Sequence, residues 1–163
     1  MREGWRQGLS PHPLFDPAWY RPQMPAEAAE TPPLVHFILE GAAAGLSPHP
    51  LFEPAWYLGQ APDAAASGLD PFRHYLLIGS GRRLSPSRWF DAAHYADRRG
   101  GALAEGRDAL VDYLRSGAWI VAEPTPGFAT AAYLAAHPEL VARGLTPLEH
   151  WAQRGATDRE ASD

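Results

Sequence analysis

The sequence predicts an all-α fold of tandem helical repeats, each about 38 residues long, stacked as a short solenoid-like array. The segment LSPHPLFDPAWY at residues 9–20 returns as LSPHPLFEPAWY at 46–57 and as LSPSRWFDAAHY at 84–95. A later motif, VHFILEG in its first copy, ends in a glycine that recurs every 38 residues, at Gly41, Gly79, Gly117 and Gly155. No stretch shows the sustained alternation of apolar and polar residues that is typical of strands. Self-similarity at this period indicates a repeat architecture.

The repeat divides the chain into four copies and two short ends. Gly4 lies 37 residues before Gly41, so the first ten residues match the end of a preceding repeat. The polar end TDREASD is expected to fray. The predicted segments are a repeat remnant at 1–10, repeats at 11–47, 48–85, 86–123 and 124–157, and a frayed tail at 158–163.

Each copy should begin with a long opening helix. Asp16 and Pro17 fit an N-cap followed by proline at the first helical position, where the missing N–H costs nothing. Asp91 can cap the third copy in the same way. The opening helices should end near Pro25, Pro62, Gly100 and Pro138.

A short alanine-rich turn and a closing helix should complete each copy. The turns are expected to end at glycines with left-handed backbone, at Gly68, Gly106 and Gly144. Closing helices then begin at Asp70, at Asp108 and at Thr146, where Thr146 and Glu149 form a reciprocal capping-box pattern.

The recurring aromatic residues are the predicted core. Helices this short are marginal alone in water, so each copy needs its neighbours to cover its aromatic face. Phe37 on the first closing helix is expected to join this core. The predicted repeat core consists of Phe15, Tyr20, Phe52, Tyr57, Phe90, Tyr95, Phe128 and Tyr133.

Composition excludes several classes of function. The 14 basic residues are all arginine and are scattered over a chain of net charge −5, so no basic face for nucleic acid is expected. Cysteine is absent, which excludes thiolate chemistry and cysteine-ligated metals. No apolar run has the length of a membrane span. A bacterial cytoplasmic location is the expectation.

The histidines are the candidate binding residues of the repeat face. His36, His74 and His150 share one repeat position, but each lies on a different copy, so we expect no shared metal site. Local bonding to the acid that caps the opening helix, Asp16 or Glu53, is the favoured interpretation. His12 and His49 lie in Ser-Pro-His-Pro turns and are expected at the surface.

Catalytic and cofactor motifs are missing from the sequence. It has no G-x-S-x-G elbow and no glycine-rich phosphate loop after a strand. Asp108 and Asp112 share one helix face, so they cannot flank a glycosidic bond. We therefore predict no catalytic residue, no cofactor and no metal.

Two sets of apolar residues leave alternatives open. The six tryptophans either belong to the core or form a face that stacks on sugar rings. The run Trp119-Ile120-Val121 replaces the polar Gly81-Arg82-Arg83 of the preceding copy. This run is either a changed packing contact or an exposed patch for a partner.

The motifs FEPAWYL at 52–58 and PDAAASGLDPFRHYLLIGSGRRLSP at 62–86 resemble a repeat of bacterial multidomain proteins. Many of those are glycosyltransferases for surface polysaccharide, including rhamnan-synthesis-like proteins, and others are large secreted proteins of the hemolysin-type calcium-binding group. The resemblance covers essentially the whole chain. It implies an accessory helical region beside a catalytic domain, and no catalytic residue is carried over by it.

Three functions follow as hypotheses. The first is a non-catalytic binding or scaffold module associated with bacterial surface-glycan synthesis, with a protein or a glycan as its partner. The second is a fragment or accessory subunit of a glycosyltransferase whose catalytic domain lies elsewhere. The third is a structural spacer without a ligand. The sequence does not define the oligomeric state.

Overall fold

The protein is all-helical throughout the part of the chain that the computed structural model describes. That part comprises residues 12–100, 103 and 107–160, with the backbone alone for 156–160. Its only β-type pairing is a single bridge between Ser87 and Phe90. Among the described residues, no helix is both long enough and apolar enough to cross a membrane.

The opening helices end within two residues of the predicted positions. They have four to eight residues, and the first continues as a 3₁₀ turn at Arg21–Gln23. Short turns or helices follow at Ala26–Ala28, Ala65–Ser67 and, as α8, Glu139–Arg143. The opening helices are α1 at Pro17–Tyr20, α3 at Pro54–Gln60, α5 at Ala92–Arg99 and α7 at Thr130–Ala136.

Most of the predicted helix caps are present. Asp16 accepts from the N–H groups of Ala18 and Trp19, and Asp91 accepts from His94. Thr146 and Glu149 bond reciprocally through backbone and side chain, which confirms the capping box. Glu53 occupies the N-cap position of α3 without capping it, since its carboxylate turns to Arg88 instead.

The predicted turn glycines are confirmed where the structure describes them. Gly68 and Gly144 have φ values of 72° and 64°, the left-handed backbone that favours glycine. Gly106 lies outside the described residues.

The closing helices contain a π turn that the sequence gives no sign of. In the first three copies an α-helical turn passes into a π-helical one, closed by bonds from residue i+5 to residue i such as Ala42 N to Phe37 O at 2.9 Å. The fourth closing helix, α9 at Pro147–Glu160, is the exception and runs on as α-helix. The first three are α2 at Pro33–His36 with Phe37–Gly41, α4 at Pro71–His74 with Tyr75–Gly79, and α6 at Ala109–Asp112 with Tyr113–Gly117.

A left-handed residue ends each of these three helices. Gly45, Arg83 and Val121 have φ values of 73°, 56° and 53° at the same repeat position. The N–H of the residue that follows donates to the carbonyl of the closing glycine, as Leu46 N does to Gly41 O at 2.9 Å. This hydrogen bond, together with a left-handed residue, is typical of helix C-termini that usually carry glycine. Val121 is strained there because a β-branched side chain disfavours positive φ.

The aromatic core runs from copy to copy. Each opening helix packs on the closing helix of its own copy. Phe72 joins neighbouring copies, since its ring lies 5.4 Å from Phe37 and 5.2 Å from Phe52 between centroids. Six of the eight predicted core residues are fully buried, but Phe128 and Tyr133 in the fourth copy are only half-buried.

One backbone contact recurs at the repeat period. The N–H of the residue that starts each opening helix donates to a proline carbonyl in the next copy's turn. The three bonds are Asp16 N to Pro48 O at 2.9 Å, Glu53 N to Pro86 O at 2.9 Å and Asp91 N to Pro124 O at 3.1 Å.

The ends of the chain fall partly outside the description. The predicted repeat remnant at 1–10 lies outside the described residues. Helix α9 continues to Glu160, so its backbone extends three residues into the segment expected to fray, and residues 161–163 lie outside the description.

Candidate functional site

A tyrosine of each opening helix bonds to a polar side chain of the closing helix in the same copy. We call these contacts the tyrosine pairs, numbered by copy. In the histidine-containing pairs, the hydrogen bond joins the tyrosine hydroxyl to Nδ1. The pairs are Tyr20 with His36 at 2.7 Å, Tyr57 with His74 at 2.6 Å, Tyr95 with Asp112 at 2.6 Å and Tyr133 with His150 at 2.9 Å.

A glycine closes each of the first three pairs. A Cβ atom built on Gly41, Gly79 or Gly117 would overlap the hydroxyl of the paired tyrosine. The backbone φ is ordinary at these positions, so glycine is needed for space and not for conformation. This close approach explains the glycine at this repeat position in the first three copies.

Burial holds the paired tyrosines in their neutral form. It raises the pKa of Tyr20 to about 12, with a smaller contribution from the Glu40 carboxylate. It also raises the pKa of Tyr57 to about 12. These hydroxyls therefore remain protonated at neutral pH and act as hydrogen-bonding groups.

The third pair replaces histidine with a carboxylate and adds a cation. Asp112 is 3% exposed and accepts from the Tyr95 hydroxyl. Arg99 lies 3.1 Å from the same carboxylate oxygen and is itself largely buried. Burial, followed by the hydrogen bond to Asp112, raises the pKa of Tyr95 well above its ordinary value. A buried carboxylate needs such partners, and their presence accounts for the exchange of His for Asp.

The fourth pair is open. Tyr133 and His150 are half-buried, and a Cβ on Gly155 would face the Trp89 ring at 3.0 Å instead of the tyrosine. A cavity of about 440 Å³ adjoins the pair. We call it the fourth-copy pocket; its lining residues are Trp89, Tyr133, His137, Trp151, Arg154 and Gly155.

The electrostatics around the fourth pair favour the neutral form of His150. Burial lowers the pKa of His150, and the neighbouring His137, Arg154 and Arg143 lower it further. His137 faces Glu139 at 3.3 Å through Nδ1. The rings of His137 and His150 lie 5.0 Å apart between centroids.

The histidines with a shared repeat position do bond locally, but the expected partner is wrong. His36 and His74 bond to tyrosines, because Asp16 is used in capping and Glu53 pairs with Arg88. Sequence reasoning missed these pairs, although the tyrosine and the polar residue recur in fixed register. His36 and His74 are buried, so a binding partner cannot contact them, whereas His150 is half-buried.

The two turn histidines differ from each other. His12 is exposed, as expected. The surface position expected for His49 is wrong, because it is 2% exposed and its Nε2 lies 3.2 Å from the Glu149 carboxylate. Tertiary contact between the second and fourth copies covers it, which no local pattern indicates.

Two other features bear on binding. Trp119, Ile120 and Val121 are all exposed, so this run is a surface patch and not a packing contact. No group of three His, Asp or Glu side chains suited to a metal ion is found within the described ranges.

Comparison of this chain with protein-family models, with curated proteins and with solved structures finds no match.

Proposed function

We propose that this chain is a non-catalytic helical-repeat module, stacked as a short solenoid-like array in the bacterial cytoplasm, that binds or positions a partner in surface-glycan synthesis. The observation that carries the non-catalytic part is the closure of the tyrosine pairs. A general acid or base must come within hydrogen-bond reach of its substrate. The first three pairs abut a glycine and are enclosed, which supports a role in holding the opening helix on the closing helix.

The repeated contacts between copies support the stacked array. The backbone bond from each opening helix to the next copy's turn recurs three times. Side chains add to it: the Tyr75 hydroxyl donates to Asp108 in the next copy at 3.1 Å, and Leu148 N donates to the Tyr113 oxygen at 3.3 Å. In stacked repeats each unit is stabilised mainly by its neighbours, and these contacts are of that kind.

The glycan context of the proposal comes from the resemblance of residues 46–83 to repeats beside polysaccharide glycosyltransferases. The exposed aromatic and apolar side chains of the third and fourth copies support binding over a purely structural spacer. Among them, Trp119 is 38% exposed and Trp151 is 48% exposed. Large exposed aromatic residues are typical of binding surfaces.

A bacterial glycan array, probed with the purified chain, tests the binding part of the proposal. We expect retention on a restricted class of glycans, without loss or modification of the glycan when the eluted material is analysed by mass spectrometry. Retention on none of the glycans would rule out a glycan as the partner, and a chemical change in them would contradict the non-catalytic part of the proposal.

The paired variants Tyr57→Phe and His74→Gln test the non-catalytic part on the same array. Both should lower the melting temperature and leave glycan retention unchanged, because the second pair is enclosed. If the variants kept the parent's melting temperature but lost glycan retention, the second pair would be a ligand contact and its structural role would be refuted.

A further inference from the structure

The fourth-copy pocket has aromatic walls that are held in place. Trp151 packs edge-on against Phe128 and Tyr133, with ring centroids 6.3 Å and 6.2 Å away. Trp89, from the turn of the third copy, stands against Gly155 on the other side. Half of Trp151 is nevertheless open to solvent. Fixed, half-exposed indole faces are platforms for the apolar face of a ring-shaped ligand.

The pocket also contains a positive charge. Arg154 lines it, and none of the side chains that the structure describes forms an ion pair with it. Arg143 is close enough to His150 to lower its pKa, and it likewise has no carboxylate partner there. Glu139, the acid nearest the histidines, is engaged with His137. A guanidinium group binds a carboxylate through two parallel hydrogen bonds.

Hydroxyl-binding groups line the same space. Tyr133 is a lining residue, and its hydroxyl hydrogen-bonds to Nδ1 of His150. His137 uses Nδ1 toward Glu139 and keeps Nε2. A cavity of about 440 Å³ falls in the usual size range of small-molecule sites.

We propose that the fourth-copy pocket binds an acidic sugar, with the ring on Trp151 and the carboxylate on Arg154. This inference rests on the proposed function, for which it names the ligand class. Aromatic walls alone would suit any flat ring, but the hydroxyl-binding rim selects a polyhydroxylated ring and the Arg154 guanidinium selects an acid. The sealed pairs of the first three copies offer no comparable space beside their tyrosines.

Titration with sodium glucuronate, followed by the tryptophan indole N–H and histidine signals in NMR, tests the proposal. We expect saturable shifts confined to Trp89, Trp151, His137 and His150, with glucose binding at least about tenfold more weakly at equal ionic strength because it lacks the charged hydrogen bonds. Bound carboxylate should also raise the pKa of His150. Equal binding of the two sugars, or tighter binding of benzoate, would overturn the proposal.

Two variants complete the experiment. Arg154→Gln should weaken glucuronate binding at least about tenfold and leave glucose binding unchanged. The matched control is Arg115→Gln, which removes another exposed arginine with no ion pair among the described residues and should leave both affinities unchanged. An Arg154→Gln protein that is folded and binds glucuronate as tightly as the parent would refute the proposal.

The glycan array separates this inference from the proposed function. If the Arg154→Gln variant is still retained on the array, the module binds glycans, but the fourth-copy pocket is not the site. Loss of retention in Arg154→Gln, together with the NMR shifts, supports both.

Discussion

The first three copies and the fourth copy place the same pair of repeat positions in two opposite environments. In the first three, the tyrosine and its partner are enclosed and a glycine lies against the hydroxyl. In the fourth, Tyr133 forms the same hydrogen bond with His150, but the tyrosine lines an open pocket. The difference shows that the pair alone does not determine closure.

The π turn is the feature that separates the two situations. It is present where the closing glycine faces the tyrosine, at Gly41, Gly79 and Gly117. Helix α9 lacks it, and Gly155 faces Trp89. A π turn inserts one residue into the helix and shifts the residues beyond it around the axis. We infer that this shift aims the glycine at the hydroxyl, so that its absence opens the fourth-copy pocket.

Truncation of the paired tyrosine gives the largest expected effect. Tyr57→Ala removes a fully buried ring and should lower the free energy of unfolding by about 3–5 kcal/mol. Tyr133→Ala removes a half-buried ring and should cost only about 1–2 kcal/mol. Urea denaturation of both variants measures this contrast. Equal losses would mean that the fourth pair is as enclosed as the second.

Adding one methyl group to the closing glycine is the next test. Gly79→Ala forces a Cβ into the Tyr57 hydroxyl and should cost about 1–3 kcal/mol. Its control is Gly155→Ala, where the half-buried Trp89 ring can shift and alanine favours the helix, so the change should stay below about 1 kcal/mol. Thermal melts of the two proteins give the comparison. A Gly79→Ala protein as stable as the parent would refute the claim that the glycine is needed to make room for the tyrosine hydroxyl.

The smallest expected effect concerns the contact between His49 of the second copy and Glu149 of the fourth. Burial raises the pKa of Glu149, but hydrogen bonds from His49 and Thr146 outweigh it, so the pKa lies below its ordinary value of 4.5. The folded state then binds fewer protons than the unfolded state, and this stabilisation is present above pH 4.5 and is lost as pH falls through the folded pKa.

Glu149→Gln checks this link by the pH dependence of its urea midpoint. The stability difference between parent and variant should shrink as the pH is lowered below 4.5, because the parent's carboxylate becomes protonated. A difference that is constant with pH would show that the carboxylate charge does not tie the two copies together.

Local signals in the sequence predicted the helical class, the caps and most of the core. Asp16 and the Thr146–Glu149 box act within one helical turn, so their partners can be read from spacing alone. The burial of His49 could not be predicted in this way, because it depends on contact with a copy about 100 residues away along the chain. The π turns were missed since no residue type marks them.

The candidate site was predictable in its residues but not in its geometry. The sequence placed His36, His74 and His150 at one repeat position, yet their tyrosine partners were assigned to the core as apolar rings. The fourth-copy pocket arises where one copy departs from the others, and a repeat pattern describes what the copies share. Its arginine, Arg154, has no equivalent in the other three copies.

Histidine modification by diethyl pyrocarbonate, with each site quantified by mass spectrometry, tests most directly whether the pairs differ in closure. The native protein at pH 6 should be modified at His12, His137 and His150, while His36 and His74 react at least about tenfold more slowly, since they require local opening of the fold. Modification of His36 and His74 as fast as His150 would contradict the closed tyrosine pairs.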